Sequence, residues 1–288
     1  MKNKILIALV VILVLVISAF FAQKEFVSRE DAGKMEENVS TDGFEAITGQ
    51  EKEIKKDEIS EERVAWTFYQ DSSQWSFAGK PPACSEPLVF PSPADIKSAS
   101  SILYPGQVRG GDYKPHGGIR FDNLENNEVD VYAPMDGNLF MAARHLESEE
   151  VQYSLYFTND CGIMYKLDHL RELTGKFNDI MEKIPMKGSG DTRTTQIVPS
   201  VFVGNGEHIA TKIGFEANKN IFLDFGVYDL RKTNGVVYGE EFRAQFQNID
   251  QFGTHALCWL DYLEEKDRSI AKSLPGGDGI QGKTSDYC

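Results

Sequence analysis

His116 sits in the run Tyr113-Lys114-Pro115-His116-Gly117-Gly118-Ile119-Arg120-Phe121-Asp122: an imidazole, then residues without bulk, then an apolar strand. This is the layout of a zinc-site loop, in which the imidazole supplies one ligand and a carboxylate four residues later supplies the next. The fourth residue after His116 is Arg120. A guanidinium has donors and no acceptor, so it cannot coordinate a divalent cation. The loop therefore points to a metal-site architecture that has lost its usual chemistry. Asp122 is a weaker substitute ligand, because period-two alternation sets it on the same face as Arg120.

His169 follows Asp168 at the head of a segment with helical spacing, where Asp168 suits an N-cap. His145, His208 and His255 have no partner at ligand spacing and read as surface residues. Gly204-Asn205-Gly206 reads as a hairpin turn, since neither a basic residue nor a helix start follows it to make a phosphate loop. Cys84, Cys161, Cys258 and Cys288 predict two disulfides with three possible connectivities. None of them forms the C-x-x-C pair of a zinc knuckle.

The elements that must position these residues are mainly strands. Short alternating runs recur from Tyr104 to Leu230, among them Val129–Ala133, Gly137–Ala142, Gln152–Phe157, Cys161–Tyr165 and Ile221–Tyr228. Gly, Asn and Asp punctuate them, which predicts an antiparallel sheet with hairpins. Leu170, Leu173, Phe177, Ile180, Met181 and Ile184 recur at helical spacing and predict a helix over 168–184. Ala256, Leu257, Trp259, Leu260, Leu263 and Ile270 predict another over 254–273, packed on the sheet through Trp259 and ended by Pro275-Gly276-Gly277. The expected class is mainly β (α+β).

Five stretches follow from composition. Residues 1–22 carry Lys2 and Lys4 ahead of an uncharged apolar run, which reads as an amino-terminal membrane anchor or a signal segment. Either reading places the remainder outside the cytoplasm, secreted or held by a single span. Residues 23–63 are charged and poor in aromatics, an acidic stalk that buries too little apolar surface to order itself; Asn38-Val39-Ser40 in it is a glycosylation sequon. Residues 64–102 form an entry segment, kept extended by prolines, 103–231 the β domain with its helical insertion, and 232–288 the carboxy-terminal helix and tail. The formal charge of −14 argues against a nucleic-acid partner, whose phosphates need Lys and Arg.

The β region resembles the lysostaphin/LytM-type zinc metallopeptidases, a family with a duplicated hybrid-motif β-sheet core that cuts peptide cross-links in bacterial cell walls. The resemblance covers roughly Leu103 to Arg231. His116-Gly117-Gly118-Ile119-Arg120-Phe121 is similar to the family's His-x-Gly-Ile-Asp loop, and Val131 to Gly137 to the Ala-Pro strand and turn that follow. Lys166-Leu167-Asp168-His169-Leu170 resembles its Tyr-x-His-Leu motif, and Val203 to Gly214 with Phe222-Leu223-Asp224-Phe225 its closing His-x-His strand.

The resemblance implies that His116 keeps the first zinc-ligand place, that Arg120 replaces the ligand Asp, and that Asp224 replaces the ligand His. Phe222 replaces a catalytic His, Leu167 stands where the family has Tyr, and His169 keeps the other catalytic place. Lipoyl- and biotin-carrying domains share a similar sandwich, but the comparable turn Met135-Asp136-Gly137-Asn138 has no lysine to modify.

With two of the family's polar site positions retained, the expectation is an exported peptidase-like domain without the standard catalysis. It would bind a cell-envelope polymer, such as a cell-wall peptide, or an envelope protein, with no cofactor. Arg120 is expected to form an ion pair with Asp224 in the former metal cavity. The alternatives are a zinc metalloendopeptidase with altered ligands, using His116, Asp224 and His169, and a structural surface protein.

Overall fold

The computed structural model describes residues 64–69, 71–246 and 249–288. The expected anchor, stalk and sequon lie outside them. No helix among the described residues is long and apolar enough to cross a membrane.

The chain is mainly β, as the alternating runs predict. Hairpin β1 (Ala65–Tyr69) and β2 (Gln74–Ala78) opens it, followed by β3 (Ser101–Leu103), β4 (Gln107–Arg109), β5 (Asp112–Lys114) and β6 (Gly117–Arg120). Then come β7 (Glu128–Tyr132), β8 (Gly137–Glu147), β9 (Glu150–Thr158), β10 (Ile163–Leu173), β11 (Met186–Ser189), β12 (Thr195–Val203), β13 (His208–Ile213) and β14 (Phe222–Asp229). Ten of these form one sheet in the order β11-β8-β9-β10-β14-β6-β3, with β12 beside β8 and β13 joining β10 to β7. The pairings are antiparallel except for β11 on β8.

Period two divides the central strands between two environments. In β14, Leu223, Phe225 and Val227 enter the main apolar core with Leu155 and Phe157 of β9 and Tyr165 and Leu167 of β10. The alternate positions turn the other way. There the register sets Met164 opposite Tyr228, Lys166 opposite Gly226 and Asp168 opposite Asp224, with Tyr156 on the far side of Lys166. That second face is the one that carries polar side chains.

Two expected helices are corrected. The predicted helix over 168–184 is strand through Leu173, and α1 spans only Gly175–Met181. Asp168 is therefore not an N-cap. Its backbone is taken by β14, so sheet pairing overrides local periodicity, while Phe177 and Met181 still face the core as the spacing requires. The predicted helix over 254–273 is broken into 3-10 turns Gly253–His255 and Trp259–Tyr262, then α3 (Glu265–Ser273); the short α2 (Glu240–Gln245) precedes them. The interruption has a local cause. Phe90 N–H donates to the Tyr262 carbonyl and Glu264 N–H to the Phe90 carbonyl, so these peptide groups form a strand-like bridge and cannot join a helix. Trp259 covers the sheet as expected, fully buried and edge-on to Phe225 at 5.2 Å.

The disulfides are Cys84–Cys161 and Cys258–Cys288. The first joins the entry segment to the β9–β10 turn, and the second ties the last residue to the segment before Trp259.

Candidate functional site

A cleft of about 760 Å³ opens on the polar face of the sheet, walled by Asp112–His116, by Thr192–Thr194 and by Gln245, Gln251 and Phe252. Its floor comes from β8, β9, β10 and β14. Gly226 makes room for it: a Cβ there would lie 2.6 Å from the Tyr228 hydroxyl and 2.9 Å from His116 Cβ.

Three residues singled out from the sequence meet in this cleft. His116, delivered by the β5–β6 connection, places Nε2 3.0 Å from Asp224 Oδ2. His169 places its own Nε2 3.6 Å from the same oxygen. Ordinary alternation would turn His169 away from Asp168. Instead its φ of +61° lies in the left-handed region, the β10 register shifts beside it, and both side chains line the cleft. A non-glycine residue held there stores conformational strain, a feature that concentrates at functional sites. Phe222 packs its ring 4.5 Å from the imidazole of His169. Leu167 is wholly in the core.

Arg120 is elsewhere, contrary to the expected Arg120–Asp224 ion pair. Its guanidinium holds Asp122 through two bonds of 2.9 and 2.6 Å and donates to Asn220 Oδ1 at 3.0 Å. The reason is register: Gly118, not Arg120, is the residue of β6 opposite Asp224, and Arg120 lies two residues further along the strand, opposite Phe222, where Asp122 and Asn220 take its guanidinium. Asp122, accepting from Arg120 and Ser100, is no substitute ligand either. Because this pair is partly exposed, Arg120→Ala is expected to cost below about 1 kcal/mol. It should also leave the His116 and His169 imidazole NMR signals in place; movement of either signal would restore Arg120 to the cleft.

The sequence reading missed several groups here. His145, expected at the surface, is buried, with Nε2 3.5 Å from Glu147 Oε2, and that oxygen is 4.0 Å from His169 Nδ1. His145, Glu147, His169, Asp224 and His116 thus alternate imidazole and carboxylate along the floor. Lys166 reaches Asp168 Oδ2 at 2.7 Å, and Ser154 donates to Asp168 Oδ1 at 2.5 Å. The signal for Lys166, Asp168, Asp224 and Tyr228 was present as polar residues at period two within apolar runs. His255, also expected at the surface, is buried against the Asp229 and Lys232 carbonyls, and His208 stacks on Tyr132 away from the cleft.

Burial and neighbouring charges act on the ionisation of His116, Asp224, Lys166 and Asp168. Burial, and then the Lys166 ammonium, push the pKa of His116 down to about 4 against the opposing pull of Asp224. Burial works against ionisation of Asp224, but His116, His169 and Arg109 outweigh it and hold its pKa below the ordinary carboxylate range. A neutral His116 beside an ionised, acceptor-only carboxylate must donate Nε2–H, leaving Nδ1 as the acceptor. Burial likewise opposes both charges of the Lys166–Asp168 pair; their mutual attraction prevails, raising Lys166 and lowering Asp168.

Zinc does not fit this arrangement. His116 Nε2 is engaged by Asp224, an ammonium stands within Coulomb range, and no group of three or more His, Cys, Asp or Glu among the described residues is placed to hold a metal ion. A serine-type mechanism lacks its nucleophile, since the Ser154 hydroxyl is bound to Asp168 and not to an imidazole. What the cleft does offer is unpaired polar atoms: Asp224 Oδ1, His169 Nδ1 and His145 Nδ1 are buried without a hydrogen-bond partner. A second hollow of about 550 Å³, near Cys84, Met135 and Phe202, contains none of these histidines.

No family model, no curated protein and no solved structure matches this chain.

Proposed function

We propose that this is an extracytoplasmic, peptidase-like binding domain of lysostaphin type, without catalysis, whose cleft receives a peptide segment of a cell-envelope polymer or of an envelope protein. The carrying observation is the set of unpartnered atoms on Asp224, His169 and His145. A buried polar atom left unpaired costs about 1–3 kcal/mol, so a ligand that presents both donors and acceptors, and toward which these side chains turn, recovers that cost on binding. A peptide backbone alternates N–H and C=O and meets the requirement. The motif resemblance supplies the fold type and the ligand class, and the two disulfides fit an oxidising compartment outside the cytoplasm.

Co-sedimentation of the full chain with insoluble cell-wall peptide polymer tests this, together with the zinc content of the purified protein. Expected are saturable, chelator-insensitive binding and substoichiometric zinc, with His169→Ala weakening binding by about tenfold, a loss of ~1.4 kcal/mol. One tightly held zinc per chain with chelator-sensitive cleavage of the polymer would establish the hydrolase reading instead. Absence of binding to both the polymer and envelope proteins would leave a structural surface protein.

A further inference from the structure

The β5 side of the cleft is tied to residues 281–288. Three phenol hydroxyls close a triangle: Tyr113 to Tyr238 at 2.9 Å, Tyr113 to Tyr287 at 2.7 Å and Tyr238 to Tyr287 at 2.8 Å. Tyr113 also donates to Asp286 at 2.8 Å. Each ring belongs to a different stretch. Tyr113 is in β5, three residues before His116, while Tyr238 leads into the segment that supplies Gln245, Gln251 and Phe252 to the cleft lining. Tyr287 lies in the tail, and its neighbour Cys288 is bonded to Cys258.

The tail is also stitched to the β4–β5 hairpin. Gln107 Nε2 donates to the Thr284 carbonyl at 2.6 Å, Gln281 Nε2 to the Val108 carbonyl at 2.8 Å, and Ser285 Oγ to the Pro105 carbonyl at 2.5 Å. The other end of the disulfide bears on the same place. Trp259, next to Cys258, lies so close to Gly117 that a Cβ at 117 would be 2.6 Å from its indole nitrogen.

We propose that the Cys258–Cys288 disulfide is a redox latch on the cleft: when oxidised it seats Tyr287 between Tyr113 and Tyr238 and closes the wall that presents His116, and when reduced it releases that wall. Cys288 is exposed as a residue and Cys258 is buried; in the latch an external dithiol attacks Cys288 Sγ. A thiolate of the dithiol forms a mixed disulfide with Cys288 and expels Cys258 as a thiolate. The second thiol then displaces Cys288 and the dithiol leaves as its own disulfide. The protein gains two electrons and two protons in the exchange. Each bond has one buried sulfur-bearing residue, Cys161 and Cys258, but Cys84 is half-buried where Cys288 is exposed, so in the latch Cys258–Cys288 is the bond that opens first. The latch does not depend on what the cleft binds.

The test is a titration of the full chain with dithiothreitol, thiol trapping to show which bond opens, and amide hydrogen exchange by mass spectrometry. Selective opening of Cys258–Cys288 is expected to speed exchange at 106–116, 236–246 and 249–252 by about tenfold or more while β8–β10 stays protected, the pattern of local opening. Tyr287→Phe, which keeps the disulfide and removes one vertex of the triangle, should produce a smaller rise at the same amides. Prior reduction of Cys84–Cys161, unchanged exchange in the two walls after Cys258–Cys288 opens, or a rise shared equally by the whole sheet would each overturn the proposal.

Discussion

Replacing Lys166 by methionine is expected to destabilise the domain by about 4 kcal/mol, because removing one member of a buried ion pair strands the other charge. Lys166 and Asp168 keep side-chain exposures of only 11% and 12%, so solvent cannot take over the role of the missing ammonium. Asp168 would retain two neutral donors, the Ser154 hydroxyl and the His169 N–H, too few for a buried carboxylate. The double variant Lys166→Met/Asp168→Asn removes both charges and should recover more than half of the loss. Urea denaturation of the four proteins in this cycle provides the measurement. A single-variant cost under about 1 kcal/mol would mean that water reaches the pair and that it behaves as a surface ion pair. Lys166→Met should also raise the pKa of His116, since the ammonium is the leading charge holding it down.

Stability should fall by roughly 3 kcal/mol as the pH drops from 6.5 to 4, the linkage expected from a shift of about 2.5 units at about 1.4 kcal/mol per unit. His116 has a pKa of about 4 in the folded chain against an ordinary 6.5. Between those values the unfolded chain binds the proton and the folded chain does not, so acid favours unfolding. The contribution is fully present above the unfolded value and lost as the pH falls through the window. Asp224 and Asp168, both held below their ordinary pKa, add further loss below about 3.8 as they are forced to protonate. In His116→Gln, which retains a donor toward Asp224, the loss between pH 6.5 and 4 should largely disappear. Thermal denaturation across that range separates the cases: an equal slope in wild type and variant would place the acid sensitivity elsewhere.

How much of this was legible in the sequence is clearest at Arg120 and His169. The alternation that put Arg120 and Asp122 on one face was readable from period two, and the structure pairs them. The expected partnership with Asp224 came from motif position, which carries no information about register: Gly118 is opposite Asp224, and Arg120 is opposite Phe222. At His169 the local signal pointed to a helix, because Leu170, Leu173 and Phe177 repeat at its spacing. Pairing with β9, β14 and β13 won, as sheet partners far along the chain satisfy the backbone groups of Lys166 to Leu173. The buried position of His145 was also out of reach, since its environment is built by Glu147 together with His169 of another strand.

Local chemistry in the chain decided what needs only neighbours: strand-rich class, the apolar stripe of the core, the turn glycines, two disulfides' worth of cysteines, and a histidine loop with Arg120 as its fourth following residue. Tertiary structure alone decided which cysteines join, that Asp224 takes its hydrogen bond from an imidazole and not a guanidinium, and that Tyr113, Tyr238 and Tyr287 meet. Those outcomes depend on strand register and on residues as much as 174 positions apart. A contact at that range is selected by the energy of the whole packed sheet, which no local spacing records.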